Sequence, residues 1–284
     1  MAQDTGKTYA LITGASGGIG MELARLFASE GHNLVLVARS ADKLEELAST
    51  LSTRHRIDVR TFACDLSEED AAERVYAFTR TEGLVVDNLV NNAGFGDQAA
   101  FVDSDWERQR GMVQVNIVAL MQLTYLYGQD MRDRGFGHIL NLSSVAAFCA
   151  GPYMSIYYAS KAFVLSFSEA VGEELRGTGV TVTALCPGPT NTGFERAANM
   201  EGSKMFTMGH PATAWGVASR GYRAMQRGKP VVYDGAFTKA VNVASRIAPR
   251  AVTRAFAGRI NGAPAAAEKR AGKDAAGSPA GASA

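Results

Sequence analysis

Short, nearly continuous apolar runs alternate along this chain with longer segments of helical periodicity. Runs rich in aliphatic and β-branched residues fall at Tyr9–Thr13, Asn33–Ala38, Asp58–Ala63, Asn88–Asn91, His138–Leu142, Val180–Leu185 and Pro230–Tyr233. Several of them (LVLV, NLVN, VTVTAL) read as nearly continuous apolar runs, so both of their faces are predicted to be covered. Between the runs, apolar positions recur at helical spacing. In Met21–Ser29, Leu23, Leu26 and Phe27 share one face, with Glu22 and Arg25 off it. This alternation predicts an α/β fold, a doubly wound three-layer sandwich with a seven-stranded parallel sheet. A ligand crevice is then expected at the carboxyl ends of the strands.

Composition narrows the class without naming it. The 284 residues are 46% hydrophobic and 20% charged, enough to bury a full core, and collagen-like, coiled-coil and wholly disordered chains are excluded. Lys and Arg number 29 against 28 Asp and Glu, so the net charge of +1 gives no global case for nucleic acid. Three scattered cysteines and four scattered histidines form neither a disulfide framework nor a metal-ligand pattern, which suits a reducing compartment. With no signal-like start and no spanning apolar stretch, a cytoplasmic location is expected. Residues 261–284 are Ala, Gly, Pro or Ser at 18 of 24 positions and read as a disordered tail. Residues 1–260 then form one domain.

The first predicted strand runs into Thr13-Gly14-Ala15-Ser16-Gly17-Gly18-Ile19-Gly20 and a helix. Such a turn lets the backbone approach a pyrophosphate and aims a helix N-terminus at it, although a tight turn needs glycine in any case. The spacing Gly14-x3-Gly18-x-Gly20 is not the general G-x-G-x-x-G fingerprint. Three further motifs follow in chain order: Asn91-Asn92-Ala93-Gly94, Tyr157-x3-Lys161 and Pro187-Gly188. Together the four resemble the short-chain dehydrogenase/reductase family, over residues 8 to about 235. The resemblance implies a Rossmann-type oxidoreductase. Its nicotinamide cofactor would be held by Gly14, Ser16, Gly17, Gly18, Ile19, Gly20, Asn91, Ala93, Gly94, Pro187 and Gly188. Thr192, at the last position of a PGxxxT pattern, would contact the carboxamide.

The second strand chooses the cofactor. An NAD enzyme places an acid roughly 20 residues beyond the glycines, whereas Ala38 stands here, followed by Arg39 and Ser40. A guanidinium suits a 2′-phosphate by charge and by bidentate geometry, and its alternative is a solvated arginine at a helix start. NADP(H) is the expectation. Asp65-Leu66 resembles the family's adenine-binding pair, or else belongs to the cap region of the helix that Ser67-Glu68-Glu69-Asp70 introduces.

Tyr157 and Lys161, four apart, lie on one face of a helix. A nearby ammonium and an oxidised nicotinamide would both lower the phenol's pKa, so that it could exchange a proton with a carbonyl oxygen. Tyr158 lacks such a partner, because Ala162 follows it at that spacing. By the family's pattern Lys161 also binds the nicotinamide ribose, Ser144 orients the carbonyl, and Asn116 holds a relay water. Their other readings are a serine satisfying strand-end backbone and a structural buried amide. Ser143 should point away from Ser144 if strand alternation persists.

The resemblance makes residues 193–210 a lid. Phe194, Met200, Met205, Phe206 and Met208 would form one apolar wall and Phe148, Tyr153 and Met154 the other. A hydrophobic carbonyl or alcohol substrate follows, unless these side chains only pack the lid. Residues 237–260 carry Lys239, Arg246, Arg250, Arg254 and Arg259 without an acid, among apolar positions near helical spacing. Such a segment docks on its own domain, on a partner subunit, or weakly on an anionic membrane, and Pro249 would kink it. The family implies a homodimer or homotetramer. The competing function is a catalytically idle NADP-binding regulatory protein on the same fold.

Overall fold

A computed structural model describes residues 7–200 and 211–262. Seven parallel strands form one sheet: β1 (Thr8–Thr13), β2 (Asn33–Ala38), β3 (Val59–Ala63), β4 (Val85–Asn91), β5 (Gly137–Leu142), β6 (Val180–Cys186) and, at the far edge, Val231–Tyr233. The order is β3-β2-β1-β4-β5-β6 followed by that edge strand, so the crossover direction reverses beside β1. A crevice opens at such a switch point. Strand β4 starts three residues before the predicted run. Asp87, which reads as a strand breaker, is only 8% exposed there, and its carboxylate accepts the Asn88 amide at 2.8 Å.

The helices are α1 (Gly18–Ser29), α2 (Ala41–His55), α3 (Ala71–Thr81), α4 (Trp106–Val113), α5 (Leu120–Arg134), α6 (Ser155–Glu174) and the short α7 (Phe194–Ala197). After it come α8 (Ala214–Gln226), α9 (Gly235–Ile247) and α10 (Arg250–Asn261). A two-stranded ribbon that periodicity did not reveal, β7 (Thr190–Asn191) with β8 (Ala212–Thr213), precedes α8, which makes the edge strand β9. Each sheet face carries its own core. On one, Leu23 and Phe27 of α1 meet Leu44 of α2 and Val217 of α8; on the other, Val75, Leu123 and Tyr127 pack on Leu11, Leu89 and Ile139. Each fully buried side chain of this kind contributes about 1.5–3 kcal/mol. Pro249 ends the helical run at Ala248, so the basic carboxyl-terminal segment is two helices and not one. Residues 263–284 and three residues of the expected lid, Met205, Phe206 and Met208, lie outside the described residues.

Candidate active site

Strand β1 turns through Gly14, whose φ of +65° few side chains tolerate, into α1. The first turn of α1 has neither a side-chain cap nor an acid, which leaves its N–H groups open to an anion. Asn92 fixes this turn: its Nδ2 donates to the carbonyls of Thr13 (2.8 Å) and Gly14 (3.2 Å). Thr13 Oγ1 in return accepts the N–H groups of Asn92 and Ala93. Two residues expected at the cofactor are elsewhere. Gly20 sits behind the turn, where a Cβ would overlap Asn92 Nδ2 and the Gly14 carbonyl. Asn91 faces the core, its Nδ2 donating to Asn141 Oδ1 (2.9 Å) and Thr124 Oγ1 (3.0 Å). The alternation of β4 gives the groove to Asn92 and the interior to Asn91.

Two cavities adjoin along the strand ends, sharing Gly14, Ala93 and Gly94. The larger, 460 Å³, is lined by Ser16, Arg39, Ser40, Asp65 and Leu66. Arg39 is 78% exposed at its side chain, with Nη1 4.0 Å from the Asp65 carboxylate. Ser40 occupies the N-cap of α2 without making a side-chain cap bond, so its hydroxyl is available. Asp65 caps no helix. Its Oδ1 accepts both the N–H and the hydroxyl of Ser67, and α3 begins only at Ala71.

The smaller cavity, 290 Å³, is bounded by Gly17, Gly18, Ile19, Ser144, Tyr157, Lys161, Pro187, Gly188 and Thr192. The Ser144 side chain and the Tyr157 phenol both border it. Ser144 Oγ accepts the N–H of Ala146, while Ser143 turns away and donates to the Lys161 carbonyl at 2.8 Å. Lys161 is 4% exposed, and its Nζ donates to the Leu142 carbonyl at 2.7 Å and lies 5.8 Å from the Tyr157 ring centre. Without the nicotinamide charge, burial dominates both groups. Burial pushes Tyr157 up to about 12, against a smaller lowering by the Ser144 side chain, and brings Lys161 down to about 8. Tyr158 takes no place in this cavity; its hydroxyl donates to Asn261 Oδ1 at 3.0 Å.

Asn116 lies behind the cavity, fully buried in a π-helical stretch, Gln114–Ala119. Its Oδ1 accepts the Phe95 N–H at 3.1 Å, and its Nδ2 donates to the Phe95 carbonyl and to Ser160 Oγ. A Cβ on Gly94 would meet Asn116 Oδ1 at 3.0 Å and Lys161 Nζ at 3.3 Å, so both polar atoms flank one point. Widened turns of this kind often mark functional positions.

Met154, Phe194 and Met200 supply the apolar wall, the Phe194 ring lying 5.2 Å from that of Tyr157. Phe148 instead packs on Tyr233 at 5.9 Å, and Tyr153, at φ +65°, offers its carbonyl to Ala99 N–H; neither lines the cavity. Sequence reasoning missed two anchors. Asp97, 6% exposed, accepts from Arg108 Nε (2.7 Å), Gln109 Nε2 (2.8 Å) and Asn199 Nδ2 (2.9 Å), tying the segment after α7 to α4. Asn261, which the sequence reading assigns to the tail, ends α10 and donates to the Pro152 carbonyl at 2.8 Å, while Gln98 donates to its carbonyl. Only a polar residue beside a motif pointed to the first, and nothing in the sequence pointed to the second.

The short chain dehydrogenase family pattern matches residues 8–202. A very-long-chain 3-oxoacyl-CoA reductase of Phaeosphaeria nodorum is 35% identical over 179 residues, covering 62% of this chain and 52% of the relative. The human protein of that name is 34% identical over 183 residues, with 63% and 58% covered. The chain thus spans little more than half the length of these relatives. A 7beta-hydroxysteroid dehydrogenase of Mediterraneibacter gnavus is 32% identical over 184 residues, covering 65% and 69%. Among solved structures, a 7beta-hydroxysteroid dehydrogenase superposes with a TM-score of 0.80 at 27% identity, covering 88% of this chain and 96% of that one. A Sphingobium yanoikuyae short-chain dehydrogenase in complex with NADPH gives 0.74 at 29% identity, covering 97% and 98%.

Proposed function

The chain belongs to the short-chain dehydrogenase family, and on that premise we propose that it is an NADP(H)-dependent oxidoreductase interconverting a hydrophobic ketone and a secondary alcohol. The observation that carries this reading is a groove of two adjoining cavities with Arg39 and Ser40 at one end and Ser144, Tyr157 and Lys161 at the other. The groove fits a dinucleotide phosphate: the uncapped start of α1 faces it, and a Cβ on Gly17 would find nothing within 4 Å. Arg39 and Ser40 would hold the 2′-phosphate, Asp65 and Leu66 would border the adenine, and Lys161 would take the nicotinamide ribose. When bound there, NADPH would supply the hydride that the carbonyl carbon accepts. Ser144 donates a hydrogen bond to the carbonyl oxygen and fixes its direction. Tyr157, held protonated by burial, delivers the proton to that oxygen. Lys161, already poised near neutrality, offsets the negative charge that remains on the phenol. Asn116 would hold a water between its Oδ1 and Lys161.

Met154, Phe194 and Met200 give the reacting carbonyl an apolar neighbourhood, and relatives named for 3-oxoacyl-CoA and hydroxysteroid chemistry support the same substrate class. Exposed Met121 and Tyr125 on α5 favour assembly into a homodimer or homotetramer through that side, with residues 1–260 acting as one catalytic domain. The deciding assay follows oxidation of NADPH and of NADH against bulky and small ketones. Turnover of bulky apolar ketones with NADPH is expected; a preference for small hydroxy acids, or no turnover of any carbonyl, would refute the reading.

A further inference from the structure

The two carboxyl-terminal helices leave several large apolar residues on the outside. On α9, Thr238 is buried and Val241, Asn242 and Ser245 are half-buried, whereas Val243 (55%) and Ile247 (80%) stand exposed. On α10, Ala257 and Asn261 are buried, whereas Val252 (58%) and Phe256 (55%) are exposed. Each exposed pair is four residues apart and forms a stripe along its helix. Lys239, Arg246, Arg250, Arg254 and Arg259 are exposed on the same two helices, and no acidic residue occurs between 235 and 262. The nearest, Asp234, is buried and engaged by Arg220.

We propose that α9 and α10 form a docking face for the surface of an anionic lipid bilayer. Helices that expose aliphatic and aromatic side chains together with five cations match the acyl boundary and headgroups of such a surface. Among the described residues no helix is long and apolar enough to cross a membrane, so the contact is peripheral. A second copy is a poor occupant, because a two-fold interface sets this patch on itself and opposes five cations with five. Residues 263–284 are no better. They bring Glu268 and Asp274 together with Lys269, Arg270 and Lys273, and cannot neutralise the face. Behind the same helices lies a cavity of 430 Å³, lined by Val241, Phe256 and Ile260 on one side and by Val145, Ala146 and Pro189 on the other. Those last three also line the catalytic cavity. Where the reductase reading holds, a carbonyl compound dissolved in lipid would have an apolar chamber between bilayer and Tyr157; the docking itself does not depend on that reading.

The test sediments the whole protein with phosphatidylcholine vesicles that contain or lack phosphatidylglycerol, at low and at high salt. Binding is expected only to the anionic vesicles and should fall as salt screens the cations. Each basic residue near such a surface is worth about fivefold in partitioning, so Arg246→Glu/Arg250→Glu/Arg254→Glu should lose about a hundredfold or more. Val243→Ser/Ile247→Ser should weaken binding at low salt too, and Ile247→Trp should shift its emission to the blue with anionic vesicles alone. None of these residues touches the catalytic cavity, so turnover of a soluble ketone and the melting temperature should be unchanged. Absent binding by the unaltered protein, or equal binding by the charge-reversed one, overturns the proposal. So does a loss of self-association in Val243→Ser/Ile247→Ser with no lipid binding, which would make this face an interface between copies.

Discussion

The two ends of the groove solve different electrostatic problems. At the open end, Arg39 is largely solvated and faces Asp65 across 4.0 Å, so on the proposed reading charge there would select a ligand at little cost to the fold. At the closed end, Lys161 is buried with one carbonyl for company, and the phenol beside it is held protonated. Recognition can thus be written in exposed charge that water screens. Proton chemistry needs groups moved off their ordinary pKa values, and here burial moves them.

The largest effect should come from the closed end. On the proposed mechanism, Tyr157→Phe removes the proton donor and should lower kcat about 10²–10⁴-fold while the melting temperature stays close to that of the parent. Full activity in that variant would return the closed end to a purely structural role. Lys161→Met separates stability from chemistry. The folded Lys161 titrates at about 8 against 10.5 for the free group, so unfolding takes up a proton between those pH values and stability should rise with pH across them. The penalty at neutrality is about 3 kcal/mol, fully present below pH 8. Tyr157 acts in the opposite sense, since its raised pKa removes stability as pH climbs above 10. Denaturant melts from pH 7 to 10 should therefore show a rise in the parent that is missing from Lys161→Met, along with greater stability of the variant at pH 7.

The open end should give smaller and salt-sensitive responses. Arg39→Asp should cost about tenfold to a hundredfold in kcat/KM with NADPH and favour NADH, as measured with both cofactors. Unchanged kinetics with both would sink the assignment of the 2′-phosphate to this residue. Asp65→Asn retains the oxygen that Ser67 uses and removes a carboxylate beside the phosphate site. It should tighten NADPH by about twofold at low salt and by less at high salt. A change larger than the one from Arg39→Asp would give Asp65, and not Arg39, the leading part at the open end.

Much of the architecture was legible because continuous apolar runs such as LVLV have no other stable home than a sheet covered on both sides. The strand ends were legible for the same reason, and with them the place of Gly14, Tyr157 and Lys161. What stayed hidden depended on direction or distance. A run without alternation does not say which of Asn91 and Asn92 faces the groove, and the structure gives it to the second. Gly20 reads as a cofactor glycine because a motif does not distinguish touching a ligand from making room for the loop that does. Asp97 acts by meeting Asn199, and Asn261 by meeting Tyr158, over separations of 102 and 103 residues. No local pattern encodes such partners. The mutual arrangement of Phe148 and Tyr233 is of the same kind.

The clasp at Asn261 has a bearing on biosynthesis. The turn after β1 is completed by Asn92, within the first third of the chain, so the nucleotide end of the groove can assemble while the ribosome is still at work. The catalytic helix cannot finish so early: the partner of Tyr158 is among the last residues described, and it emerges only after α10 has been made. A nascent chain would therefore hold every partner of the glycine turn well before it holds those that fix α6.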